Sequence, residues 1–349
     1  MFDSRLTNQL RLFCISIVSA ISISGCEPSA NLPTSFFSDY IKRIASVQKS
    51  EPLDIPAVTH LHLPAKRDLR IEVARIQLGL LESYELRKCG LFNLIAERNS
   101  ILGKVQDDFR LLEFQIRLIN GLKNCINSDQ IGDNIKTKLN TIHSLKTQQF
   151  SFHLYNLIYT SQSMRRQLSG SHWLDNASIA NANIVKPALA AIHHYKLTHL
   201  RQNQEFVPVV PYQEVIEKEI VLGPLLFSLT NSALYLDLAT KQLERFDNKI
   251  LCGKNRDETK LKRLINVFKE SFIKTIQPYL ASLDSIYQRL LPELGVFSND
   301  LFNKQIDLEQ PPFPIDTAYL SFKSSTKQHV SYWQSLFARC GMNVEMLVN

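Results

Sequence analysis

The stretch VQDDFRLLEFQIRLINGLKNC, residues 105–125, decides the fold class. Val105, Phe109, Leu112, Ile116 and Ile119 recur at alternating steps of four and three, a spacing that collects side chains on one face of an α-helix and scatters them over both faces of a strand. A helix ending near Cys125 is expected. The same periodicity extends outward. Upstream, Asp68 reads as the N-cap of a helix with Leu69, Val73, Ile76, Leu80 and Tyr84 on its buried face, stopping at Cys89-Gly90. A shorter helix through LFNLIAERN, 91–99, lies between the two. Downstream, Ile131, Ile135, Leu139, Ile142 and Leu145 repeat the pattern. The continuation QFSFHLYNLIY, 149–159, stays open between helix and strand, because Phe150, Phe152 and Leu154 also alternate.

Residues 161–183 turn polar and contain Gly170, which marks a connection between two helical halves, 68–160 and 184–349. The second half reads as helices near 186–200, 225–252 and 257–291, and a last helix capped by Asp316 and ending at Cys340. The third of these carries Leu261, Leu264, Phe268, Phe272 and Ile276 inward, with a kink expected at Pro278. Tyr319, Phe322, Val330, Trp333 and Phe337 form the inner face of the last. Before the first half, a short amphipathic helix over 38–49 leads into an extended piece held by Pro52, Pro56 and Pro64. The expected architecture is all-α, a multi-helix bundle of two packed halves. Glycine is scarce, with 11 in 349 residues, which suits helices better than phosphate-cradling loops or β-turn arrays.

The N-terminus addresses the chain. Arg5 and Arg11 precede the apolar run 12–18, which small and apolar residues continue to Gly25 and which Ser16, Ser19, Ser22 and Ser24 dilute along that length. A bilayer-spanning helix needs about 20 apolar residues, so 1–25 reads as a signal peptide. Its end, Ile23-Ser24-Gly25-Cys26, resembles the lipobox of bacterial lipoproteins, with Ile where Leu is usual. That resemblance implies lipid attachment at Cys26 and a tether over 26–67 between the membrane and the helical halves. Glu27 is not the Asp that favours inner-membrane retention in enterobacterial lipoproteins, so the outer membrane is the expected destination. The competing readings are an ordinary signal peptide with an incidental cysteine, or an uncleaved anchor.

Removing residues 1–25 takes two arginines and one aspartate, lowering the formal charge from +7 to +6 over 324 residues. A mild positive balance suits anionic lipid or envelope polyanions, or simply a solvated mixed surface. No Lys/Arg run argues for nucleic acid. Four cysteines remain besides Cys26. Cys89, Cys252 and Cys340 each precede a glycine, the usual left-handed helix stop. In an oxidising compartment four cysteines allow three pairings. Helices that run up, down and up end alternately at the same pole, which favours Cys89–Cys125 and Cys252–Cys340. Buried free thiols are the alternative.

The segment CGLFNLIAERNSILGKV, 89–105, packs Glu97, Arg98, Asn99 and Ser100 together, a candidate functional cluster or a helix end whose polar groups cap backbone locally. This segment, the second cysteine at 125 and the lipobox resemble a proteobacterial lipoprotein family, domain of unknown function 3080. The resemblance spans nearly the whole mature chain. The family has no assigned activity, so it implies location and helical fold and transfers no catalytic residue.

Other chemistry is thin. His193 and His194 lie six and five residues from His199, too far out of helical register for a shared face. His60 and His62 point to one side of an extended piece but lack a third ligand, so no metal is expected. Ser271-Phe-Ile-Lys274 and Ser324-Ser-Thr-Lys327 spell S-x-x-K without its companion motifs, and Gly170-Ser171 lacks the flanks of a nucleophile elbow. Tyr319, Phe322 and Trp333 read as core. The expectation is a non-enzymatic interaction or structural protein of the envelope, without cofactor, held to the membrane by its lipid and working on an envelope protein partner. The alternative is a ligand- or metal-binding protein using a cleft between the halves.

Overall fold

Apolar residues at helical spacing become helices throughout the computed structural model, which describes residues 32–60, 62–74, 80–200, 206–253, 255–298 and 312–342; these contain no strand. The expected signal segment, Cys26 and the start of the tether, 27–31, lie outside them. The helices are α1 (Pro33–Gln48), α2 (Lys66–Leu69), α3 (Leu80–Glu85), α4 (Leu91–Asn99), α5 (Ile101–Lys104), α6 (Asp108–Ile126), α7 (Asp133–Thr160), α8 (Gln162–Leu168), α9 (Asn176–Leu200), α10 (Gln213–Lys218), α11 (Leu222–Arg245), α12 (Thr259–Val267), α13 (Gln277–Leu294) and α14 (Ile315–Arg339). A π-helical stretch, Phe268–Ile276, joins α12 to α13.

Helix α11 is the centre. Leu225, Phe227, Leu229, Leu236, Ala239 and Leu243 are buried on several of its sides, and α1 and α14 pack along it. The larger apolar cluster draws on α1 and on α6 through α14. A second, smaller cluster consists of Leu86, Leu91, Leu118, Leu122, Cys125, Ile131 and Leu139. Helices α6 and α7 belong to both. On α6, Phe109, Leu112, Ile116 and Ile119 enter the large cluster, whereas Leu118, Leu122 and Cys125 enter the small one.

Several expectations need correction. Residues 68–89 are not one helix: α2 ends at Leu69, residues 70–74 are extended, and helix resumes at Leu80. The extended piece takes its backbone partners from α7. Asn156 donates to the Ile71 carbonyl and accepts from the Ile71 N–H, while Gln149 donates to the Ala74 carbonyl. The proline-held connection lies on α11 in the same way, with Leu53 N–H donating to Gln242 and Thr59 bonded twice to Asn231. Val105 is outside the core, because Asp107 accepts from Phe109 N–H and Arg110 N–H and starts α6 there. Residues 149–159 are helical, and Phe150, Ser151 and every residue from His153 to Tyr159 are buried, which erases any 3.6 period. The polar stretch 161–183 contains α8 and the start of α9, and it supplies Met164, Leu168 and Leu174 to the large cluster.

The irregularity expected at Pro278 sits before it, as the π stretch. Proline cannot donate to the carbonyl four residues back and its ring crowds that carbonyl, which a locally widened helix relieves. Helix α14 starts after Pro314 rather than at an Asp316 cap; Asp316 instead accepts from the Tyr287 hydroxyl at 2.8 Å. Val330 is partly exposed rather than on the inner face. No single described helix is long and apolar enough to cross a membrane.

Candidate functional site

The region around residues 86–105 is shaped by two tight turns. At the first, Leu86–Cys89 forms a 3-10 turn that Gly90 ends with φ +79°, a left-handed conformation that costs an L side chain about 1–2 kcal/mol. The chain is thereby redirected into α4, and Cys89 is left beside Cys125 in the last turn of α6. The two are bonded, with Cα atoms 5.1 Å apart. Cys252 and Cys340 are also bonded, at 5.4 Å, and each is followed by a positive-φ glycine. These are the pairings expected from helix order.

At the second turn, Ser100 accepts from Gly103 N–H at 3.0 Å and donates to the Glu97 carbonyl at 2.7 Å. Arg98 donates to the Gly103 carbonyl. A Cβ on Gly103 would lie 2.2 Å from the Glu97 carbonyl oxygen, so the turn closes only with glycine. The result is an apolar tip: Ile101, Leu102 and Val105 are 85%, 81% and 76% exposed, an unusual state for three large aliphatic side chains within five residues.

Behind the tip, α4 and α6 enclose a cleft of about 200 Å³. Glu97, Arg98, Gln106, Arg110 and Arg117 supply its charged and polar lining, and Leu94, Phe114 and Val210 an apolar wall. Glu113 also borders it, but its Oε1 accepts from Val209 N–H at 2.7 Å and Val210 N–H at 2.8 Å, pinning that segment to α6. Arg110 pairs with Asp107, and Arg117 lies 3.7 Å from Glu113 and over the Phe206 ring. The Gln106 Oε1 is buried with no hydrogen-bond partner. The interior nearby is electropositive. Burial, then Lys146, Arg70 and Arg98, hold the His153 imidazolium pKa down to about 3. Burial and Arg98 likewise lower that of Lys146.

Of the expected cluster, Glu97 and Arg98 line this cleft. Ser100 instead caps the turn, and Asn99 is exposed at the end of α4. Gln106, Arg110 and Arg117 were not anticipated as site residues. Their signal is the 4-3-4 spacing of 106, 110, 113 and 117, a polar stripe beside the apolar one.

The model of the family described as "Protein of unknown function (DUF3080)" matches residues 37–344. The chain belongs to the DUF3080 family. No curated protein and no solved structure matches this DUF3080 chain. The matched span begins within α1 and ends past Cys340, so both disulfides, the tip and the cleft fall inside it. A helical DUF3080 protein with two disulfides is consistent with an oxidising, extracytoplasmic location.

The DUF3080 chain has a larger, open groove of about 870 Å³ between α14 and the end of α11. Two of its ionic groups are engaged with each other: Asp247 accepts from Arg339 and, at 2.7 Å, from the Tyr332 hydroxyl. Burial alone would raise the Asp247 pKa, but these bonds together hold it below the usual range. Ser324 and Lys327 border this groove, and Lys274 pairs with Glu270 rather than with the buried Ser271. His193 lies 3.6 Å from Glu293. The side chain of His199 lies outside the described residues. His60 and His62 stack at 6.2 Å, with His60 against Phe227. Among the described residues no group of three His, Cys, Asp or Glu is placed to hold a metal. Phe322, Trp333 and Tyr319 are core.

Proposed function

We propose that this DUF3080 protein is a lipid-anchored envelope protein that faces the periplasm and works without catalysis, by holding a protein partner at the tip formed by Ile101, Leu102 and Val105. The carrying observation is the exposure of those three side chains on a turn that Ser100, Arg98 and Gly103 hold closed. Exposed aliphatics in a cluster favour binding, and small central groups of them carry most of an interface's energy. Their surroundings carry both signs of charge, with Lys104 and Arg110 near Glu97 and Asp107. A mixed rim suits a protein surface better than an anionic bilayer.

The anchor reading rests on the lipobox-like Ile23–Cys26 and on Glu27 for outer-membrane sorting. Two or more acyl chains hold a protein stably where one does so only marginally. Metabolic fatty-acid labelling should tag the wild type and not Cys26→Ser; equal labelling of both defeats the anchor. A photo-reactive residue at position 102, introduced in cells, should give one discrete envelope-protein adduct that the same probe at Gln328 does not give. Identical adduct patterns at the two positions would remove the tip from the function. A ligand-binding role is the second reading. It is favoured by the cleft beside the tip, lined mostly from the first helical half with Val210 contributed by the second.

A further inference from the structure

The cleft behind the tip combines three kinds of chemistry in a small space. Arg110 and Arg117 stand two helical turns apart on one face of α6, each with its side chain about half exposed. A guanidinium carries five N–H donors, so one carboxylate partner leaves several unused. Arg110 has Asp107, and Arg117, over the Phe206 ring, has as its carboxylate contact a 3.7 Å approach to a Glu113 whose other oxygen is committed to the backbone. The lining also offers acceptors: the exposed Glu97 carboxylate and the Gln106 carbonyl oxygen, buried and without a partner. Buried acceptors of this kind are normally satisfied, and an orphan lining a cavity marks a place where a donor belongs. The third element is the apolar wall of Leu94, Phe114 and Val210.

These requirements select a ligand. Two arginines call for a planar anion that accepts bidentate hydrogen bonds. Glu97 and Glu113 in the lining disfavour a doubly charged phosphate. Gln106 and Glu97 call for an N–H next to the anion, and the wall calls for an aliphatic side chain. The enclosed volume is below the roughly 300–1,000 Å³ of sites for drug-sized ligands, so it admits one residue rather than a long segment. We infer that this cleft binds the α-carboxylate, the adjacent N–H and the side chain of a single apolar residue. That residue is either the carboxy terminus of a peptide or a free amino acid. Arg110 and Arg117 receive the carboxylate, Gln106 Oε1 and Glu97 receive the N–H, and Leu94, Phe114 and Val210 receive the side chain.

Calorimetric titration of the purified full chain with acetyl-Ala-Ala-Leu, its carboxy-amide and free leucine tests this. The acid peptide should bind saturably below about 10 mM, the range expected of a few contacts. Its amide should bind at least tenfold more weakly. Arg110→Gln with Arg117→Gln should weaken the acid peptide at least tenfold and leave the melting temperature within a few degrees, whereas Arg43→Gln on α1 should leave binding unchanged. Binding of the peptide without free leucine identifies a chain terminus; binding of leucine identifies a free amino acid, and both support the site. Three results overturn it: no saturable binding by either ligand, equal binding of acid and amide, or binding indifferent to the arginine pair.

Discussion

Asn156 holds Ile71 by both of its backbone groups, donating to the carbonyl at 2.8 Å and accepting from the N–H at 2.9 Å. Asn231 does the same to Thr59, at 3.1 and 2.7 Å. An extended segment in a helical protein has no neighbouring strand, yet its peptide groups need partners when covered. A carboxamide on a long helix offers one donor and one acceptor side by side, the arrangement a second strand would present. Asn156→Ala should therefore cost about 2–3 kcal/mol, one neutral hydrogen bond for each orphaned group plus part of their desolvation. Urea denaturation measures this. A loss under about 0.5 kcal/mol would show that water replaces the side chain freely.

The two disulfides should differ in what they protect. Cys252–Cys340 closes a separation of 88 residues and ties the end of α14 to the connection after α11, so Cys252→Ser with Cys340→Ser should lower global stability by up to about 5 kcal/mol. Cys89–Cys125 spans 36 residues within the small apolar cluster. Replacing that pair with serines should open the small cluster before the large one. Hydrogen exchange should then quicken in α4 and the end of α6 while α11 stays protected. Uniform acceleration of all helices would show that the small cluster has no stability of its own.

The legible parts of the fold are those where one face of a helix is buried. Phe109, Leu112, Ile116 and Ile119 announced α6 because only one side of it meets the large cluster. Residues 149–159 gave no period because α7 is covered on all sides there. The break in 68–89 had a signal, the alternation of Leu69, Ile71 and Val73, but the partners that stabilise it, Asn156 and Gln149, are 75 or more residues away. The site was half legible for the same reason. Glu97 and Arg98 stand out within a short polar run, whereas Arg110 and Arg117 acquire their meaning only when α4 folds back along α6. Both disulfides were readable, since Cys-Gly marks a chain reversal and helix order limits which ends can meet.

Buried histidine should make the protein acid-sensitive below neutral pH. His329 is fully buried and its neighbours fix its tautomer. The Thr240 hydroxyl donates to the Leu236 carbonyl, so its oxygen accepts from His329 Nδ1–H at 2.9 Å. Nε2 is then the acceptor, 3.1 Å from Trp333 Nε1–H and 3.0 Å from the Tyr40 hydroxyl. Burial pushes the pKa down to about 3, and His153 reaches about 3 through burial and the nearby Lys146, Arg70 and Arg98. A base whose folded pKa lies below its unfolded value of about 6.5 is neutral in the folded state, so its contribution is complete above pH ~6.5. As the pH falls from there toward 3 the unfolded chain binds a proton the folded chain refuses. Stability then drops by up to about 1.4 kcal/mol per pH unit for each histidine. Denaturation midpoints between pH 8 and 4 should be flat above 6.5 and steep below it. His329→Gln should be less stable at pH 8 yet show a shallower acid limb; an unchanged limb would mean that His329 gains its proton without unfolding the chain.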